Sequence, residues 1–131
     1  MEQRAQKIEH SDRSVPMRRV LGATSLTKDA IRNRNGDDLG SLKEIMIDIP
    51  AGRVAYAVLS FGGFLGIGNK LFAIPWEMLT VDEDRQCLLL DVDKKTLENA
   101  PGFDKDHWPD MSDRAFGTQV YTYYGRKPYW N

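Results

Sequence analysis

The first 17 residues are polar, broken only by isolated Ile8 and Val15, with no sustained period. That pattern predicts a tail without a core of its own, ordered if at all by a partner. From Arg19 the pattern changes. Val20-Leu21-Gly22-Ala23 opens an apolar segment, and residues 29–33 predict a short strand around Ile31. Asn35-Gly36 follows, a strong hairpin signal because both residue types tolerate positive φ. Over residues 42–49, Ile45, Ile47 and Ile49 recur at period two and predict a strand with one apolar face. Pro50-Ala51-Gly52 reads as a turn. Residues 53–61, Arg-Val-Ala-Tyr-Ala-Val-Leu-Ser-Phe, are apolar in both phases, so this strand is expected to be covered on both faces. On this reading Ile45, Ile47, Val58, Leu59 and Leu89 are core residues.

Residues 61–69 are glycine-rich, with Phe64, Leu65 and Ile67 between Gly62, Gly63, Gly66 and Gly68. Leu71-Phe72-Ala73-Ile74-Pro75 predicts a strand stopped by proline. Trp76 to Leu79 reads as one helical turn. Cys87 to Val92 predicts the last strong strand, after the polar turn Asp82-Glu83-Asp84-Arg85. Beyond it the character shifts. Asp93 is placed to cap a helix over 94–99, ended by Pro101-Gly102. Residues 103–109 form an irregular aromatic segment. Ser112-Asp113 opens a second helix through Tyr124, stopped by Gly125, with Phe116, Val120, Tyr123 and Tyr124 as its stripe. Gly117 and two threonines weaken this helix. The domain reading is a tail at 1–17, a barrel domain at 18–92, and a helical, aromatic-rich extension at 93–131. Several short strands with glycine turns make the fold class mainly β, a small barrel of about six strands.

Two blocks sharpen that reading. The first is Gly36-Asp37-Asp38-Leu39-Gly40-Ser41-Leu42-Lys43-Glu44-Ile45-Met46-Ile47-Asp48 followed by Gly52-Arg53-Val54-Ala55-Tyr56-Ala57-Val58-Leu59. The second is Phe72-Ala73-Ile74-Pro75-Trp76. Together, over residues 17–92, they resemble the PRC-barrel domain family. That family is named after the cytoplasmic domain of the photosynthetic reaction-centre H subunit. It also includes the C-terminal domain of a ribosome-maturation factor and stand-alone bacterial proteins. The ending, Pro101-Gly102-Phe103-Asp104 to Trp130, is similar to the extension of one stand-alone bacterial subgroup. The resemblance implies an all-β barrel that mediates assembly, with no catalytic residues to carry over.

Charge adds one restriction. With 18 Lys+Arg against 19 Asp+Glu the formal net charge is −1, which argues against a whole-domain nucleic-acid surface but leaves room for a local patch. The single Cys87 excludes an internal disulfide framework. Inside the apolar run Cys87-Leu88-Leu89-Leu90 it reads as a small buried hydrophobe, and a free thiol fits the cytoplasm. No stretch approaches the roughly 18 apolar residues of a membrane span. The first ten residues have no apolar run, so they do not read as a secretory signal.

Three constellations invite chemistry and fall short. Gly63-Phe64-Leu65-Gly66-Ile67-Gly68-Asn69-Lys70 approaches a phosphate loop, but Asn69 separates the last glycine from Lys70, and Leu71 stands where a hydroxyl would bind magnesium. Asp104, Asp106, His107, Asp110 and Asp113 are potential hard-metal ligands. A calcium loop starting at Asp104 fails, however, because Trp108, Pro109 and Ala115 occupy its ligand and glycine positions. The remaining cheap reading is capping and solvation. His10 and His107 have no nucleophile or carboxylate partner at motif spacing, and a Cys87–His107 dyad would need a thiolate inside an apolar strand. The expectation is therefore no catalytic residue, no metal and no cofactor.

The aromatic residues carry the functional reading. Phe103, Trp108, Phe116, Tyr121, Tyr123, Tyr124, Tyr129 and Trp130 cluster at the end of the chain. They either cover the chain's own barrel or meet another protein, and both roles can coexist. The candidate interface is Phe64, Leu65 and Ile67 with Trp108, Tyr129 and Trp130. The expected partner is a protein, first of all a second copy in a homodimer. RNA is the alternative, as for a ribosome-associated assembly factor. It is weaker because only Arg114, Arg126 and Lys127 lie near the aromatics. A peripheral membrane contact stays open.

Overall fold

The structure, a computed structural model, describes residues 20–27, 29–61 and 70–131. The tail at 1–17 and the candidate interface residues Phe64, Leu65 and Ile67 lie outside the described residues. A short helix α1 (Ala23–Leu26) comes first. The Asn35-Gly36 turn forms as its chemistry demands, with Gly36 at φ +84°. It joins strands β1 (Ala30–Arg32) and β2 (Asp38–Asp48) as an antiparallel hairpin. β2 continues through a second hairpin into β3 (Arg53–Phe61), and β3 pairs antiparallel with β4 (Lys70–Pro75). A single 3-10 turn, Trp76–Met78, leads into β5 (Leu79–Asp82), which pairs with β6 (Cys87–Leu90).

β6 then runs parallel to β1, giving the sheet order β4-β3-β2-β1-β6-β5. This six-stranded sheet curls into a half-barrel of PRC type, with few short helices around it. Helices α2 (Lys94–Glu98) and α3 (Arg114–Tyr123) follow it. Asp113 caps α3 by accepting from the Ala115 N–H at 2.9 Å. None of the described helices is long and apolar enough to cross a membrane.

β3 and β4 are apolar in both phases because each faces two cores. The barrel interior gathers Ile31, Leu39, Leu42, Ala57, Leu59, Phe61, Phe72, Ile74, Leu88, Leu90 and Leu97. A second core lies on the other side of the sheet. There Tyr56 and Ala73 meet Val120 and Tyr121 of α3, with Phe116, Tyr129 and Trp130 packed around them. Cys87 is buried in β6, as its apolar neighbours suggest.

One buried polar residue organises the β1–β2 turn. Asn33 is 4% exposed, yet all its side-chain capacity is used. Its Oδ1 accepts from the Asn35 and Asp37 amides, and its Nδ2 donates to Asp37 and to the Val92 carbonyl, each at about 3 Å. The last of these bonds ties the first hairpin to the chain just beyond β6.

The pattern in β2 is corrected by the structure. Ile47 is 56% exposed and Ile49 78%, while Ile45 and Leu89 are only half-buried. The β2–β3 register shifts twice, between Leu42 and Glu44 and between Met46 and Ile47. Lys43 is the extra residue of the first bulge and Ala55 that of the second, and Ala55 turns into the outer core. Such bulges bend a ribbon and break strict alternation. Beyond the second, Ile47 and Ile49 run past the barrel interior to the hairpin end. Two smaller differences follow. β5 was not expected from its four residues, and β6 ends at Leu90 rather than Val92.

The edge strand β4 is not left open. Leu71 and Phe103 exchange two backbone hydrogen bonds, at 2.9 and 2.8 Å, so the extension adds a bridge to that edge. Gly102 makes the approach feasible. A Cβ there would stand 2.9 Å from the Phe72 ring and 3.0 Å from the Leu71 carbonyl oxygen.

These contacts set two expected outcomes. Leu59→Ala should cost about 2–5 kcal/mol in denaturant titration, since Leu59 is fully buried, whereas Ile47→Ala should stay below about 1 kcal/mol. Equal losses would show that the strand phase described here is wrong. Gly102→Val should cost about 1–3 kcal/mol by overpacking, and should speed amide exchange at Leu71 and Phe103 while β1 amides stay protected.

Candidate functional site

The outer core ends in an aromatic socket. α3 lies against β3 and β4, and the chain then turns back so that residues 128–131 return to the hairpin end of β2 and β3. The return is fixed at its start by the Arg126 N–H donating to the Tyr121 carbonyl at 2.9 Å, and by an Arg126–Glu77 ion pair at 3.5 Å. Tyr123, read from the sequence as part of the buried stripe, is instead 37% exposed, and its hydroxyl donates to the Thr96 carbonyl of α2 at 2.6 Å. Gly117 and Tyr121 take the buried positions.

Gly117 is the notch of the socket. A Cβ there would stand 2.4 Å from the Tyr56 hydroxyl oxygen and 2.5 Å from the Trp130 ring. Glycine in a helix interior costs about 1 kcal/mol relative to alanine, and here the space admits an indole. Around it the rings pack at angles favoured by aromatic quadrupoles. Tyr121 meets Trp130 edge-on at 5.7 Å and Tyr129 at 6.3 Å, while Tyr56 meets Tyr121 at 6.0 Å and Phe116 at 6.1 Å.

Charged groups hold the same two aromatics from outside. The Tyr129 hydroxyl donates to the Asp48 carboxylate. The Arg53 guanidinium sits 4.1 Å from the centre of the Tyr129 ring, and that of Arg114 sits 5.4 Å from the centre of the Trp130 ring. The hydrogen bond from Tyr129, with one from the Ala51 amide, holds the Asp48 carboxyl below its ordinary range. Burial and then the bond to Asp48 push the Tyr129 hydroxyl up to about 12. Burial pushes Tyr121 up to about 12 as well, and Tyr56 upward in the same direction.

Beside the socket runs a groove of about 400 Å³ between the β2–β3 hairpin end and the start of α3. Met46, Ile47, Ile49, Pro50 and Met111 form its apolar part, Asp48, Ser112, Asp113 and Arg114 its polar part, and Tyr129 and Trp130 one side. Of the sequence-based interface residues, Tyr129 and Trp130 therefore come together and are half-buried against their own chain. Trp108 stands apart, 39% exposed and tilted against Phe103 at 5.2 Å. Ile47 and Ile49 were not among the candidates, because the period-two pattern placed them inside.

The acidic cluster serves local structure. Asp110 accepts from the Ser112 amide, Asp113 caps α3, and Asp104 lies 3.8 Å from His107 on the exposed surface.

The Tyr129–Asp48 contact has a pH signature. A carboxyl whose folded pKa is depressed adds stability above its unfolded pKa, and loses it as pH falls through the folded value. Tyr129, raised to about 12, adds stability below the ordinary tyrosine range and loses it as pH rises through about 12. Tyr129→Phe should move the Asp48 midpoint upward in a carboxyl-carbon NMR titration. An unchanged midpoint would show that the hydroxyl does not hold this carboxylate.

No curated protein matches the sequence. Among solved structures, a putative 16S ribosomal RNA processing protein RimM from Pseudomonas aeruginosa is similar, with a TM-score of 0.40 and 11% identity. The match covers 57% of this chain and 45% of that one, so this chain spans less than half the length of that protein. The model of the PRC-barrel domain matches residues 19–97, more than half of the chain, and takes in every strand of the sheet. The chain belongs to the PRC-barrel family.

Proposed function

We propose that this protein is a non-enzymatic assembly module of the PRC-barrel type that associates with itself as a homodimer in the cytoplasm. One observation carries the reading. Ile47 and Ile49, 56% and 78% exposed, stand at the lip of a groove of mixed polar and apolar lining instead of in a core. Large apolar side chains grouped at one surface favour burial against another protein. By sequence, Phe64, Leu65 and Ile67 in the loop 62–69 and the exposed Trp108 are further candidates for that contact. A non-catalytic role is supported by how the polar groups are used. Asp110 and Asp113 accept from backbone amides at the start of α3, and Cys87 is buried in β6. A buried free thiol suits the cytoplasm.

Protein is favoured over RNA by the placement of the cations. A stacking surface for single-stranded RNA needs open rings with basic residues between them. Here Arg53 and Arg114 lie over the chain's own Tyr129 and Trp130.

Sedimentation at micromolar concentration should give a dimer mass. Ile49→Asp should weaken the dimer at least tenfold with little change in unfolding midpoint, and Phe64→Asp should do the same if the loop shares the contact. A monomer for the unsubstituted chain would remove the homodimer. Loss of association on Phe64→Asp but not on Ile49→Asp would move the interface to the loop.

A further inference from the structure

The outer socket is a finished binding site for an aromatic pair, and the chain that carries it also carries the pair. Each recognition element has a named part. Gly117 leaves the space for the indole, Asp48 accepts the phenol, and Arg53 and Arg114 lie over the two rings. None of these contacts depends on the Tyr-Trp pair being joined to the same copy. The link between α3 and the pair is Tyr124-Gly125-Arg126-Lys127-Pro128, of which Gly125, Arg126 and Lys127 are exposed.

We propose that the homodimer forms by reciprocal exchange of this segment, so that Tyr129 and Trp130 of each copy fill the socket of the other. The inference rests on the self-association proposed above and names its contact. Exchange keeps every contact of Tyr129 and Trp130 in the socket, because plug and socket are identical in both copies, and puts at stake only the Arg126 contacts to Tyr121 and Glu77 that start the return. What it adds follows from reach. Five extended residues span at most about 18 Å, so a copy that delivers its Tyr-Trp pair must bring its own body against the socket's rim. That rim is the hairpin end with Ile47 and Ile49, the apolar surface that the single copy leaves uncovered. A two-fold arrangement sets the two rims close together and buries both. The gain in apolar burial then offsets the entropy of association, which makes exchange dependent on concentration.

The test is a photocrosslink on the full chain. Asn131 is exposed and next to Trp130, so Asn131→p-benzoylphenylalanine leaves the socket residues unchanged. The benzophenone has C–H targets in the groove at Met46 and Met111. Equal amounts of unlabelled and nitrogen-15 chains are mixed, unfolded, refolded together and irradiated at micromolar concentration. Exchange predicts crosslinks from 131 to Met46 or Met111 that join light and heavy chains in the random ratio, falling with hundredfold dilution. Trp130→Ala should weaken the dimer at least tenfold in sedimentation. A dimer by sedimentation whose crosslinks to these methionines stay within one chain overturns the exchange and leaves self-association standing. A dimer unweakened by Trp130→Ala does the same. A monomer throughout, with crosslinks only within one chain, overturns both.

Discussion

β3 has to be covered twice, and much of the architecture answers that demand. Ala57, Leu59 and Phe61 close the barrel from inside, while Tyr56 and its neighbours present a second apolar face outward. A six-stranded half-barrel can bury only one of these faces by curling. The other needs a separate layer, which α3 and residues 128–131 supply. Removing that layer would leave aromatic surface with Tyr56 at its centre in water, so barrel and extension are thermodynamically one unit. The Leu71–Phe103 bridge joins the same two parts through backbone hydrogen bonds.

The layer is unusual in how it is fastened. Aliphatic contacts of α3 are few, chiefly Val120, and the rest is rings held at tilted or edge-on angles with two guanidinium groups and a carboxylate around them. Ring packing of this kind depends on orientation as well as area. It gives the docked segment a definite pose while keeping part of it at the surface. One surface of the segment is thereby sealed while another stays at the surface.

Much of this was legible in the sequence. The doubly apolar run of β3, the Asn35-Gly36 turn, the proline at the end of β4 and the Asp113 cap all follow from side-chain size and backbone chemistry. The resemblance over two blocks also pointed to the right family. What was not legible has definite causes. The phase of Ile47 and Ile49 was lost to two bulges that no local pattern announces. Asn33 stood only as the last residue of a predicted short strand, because its burial depends on Val92, far along the chain. Gly117 read as a flaw in a helix, and only the position of Trp130 makes it a notch. The socket joins residues from β2, β3, α3 and the segment after it, so no single stretch of sequence displays it.

The place of β1 in the sheet bears on how the chain acquires its structure. β1 is an early strand, but it lies between β2 and β6 and runs parallel to the latter. The meander of β2, β3 and β4 needs only neighbouring residues. Half of β1's pairing, by contrast, waits for residues 87–89, and the Asn33 bond waits for Val92. Non-local parallel pairing of this kind is slow, because loop entropy is lost before contacts repay it. During synthesis the growing chain therefore holds a three-stranded ribbon whose β2 edge has only the short β1 beside it. Sheet closure is a late event, completed once β6 has left the ribosome and become free to pair.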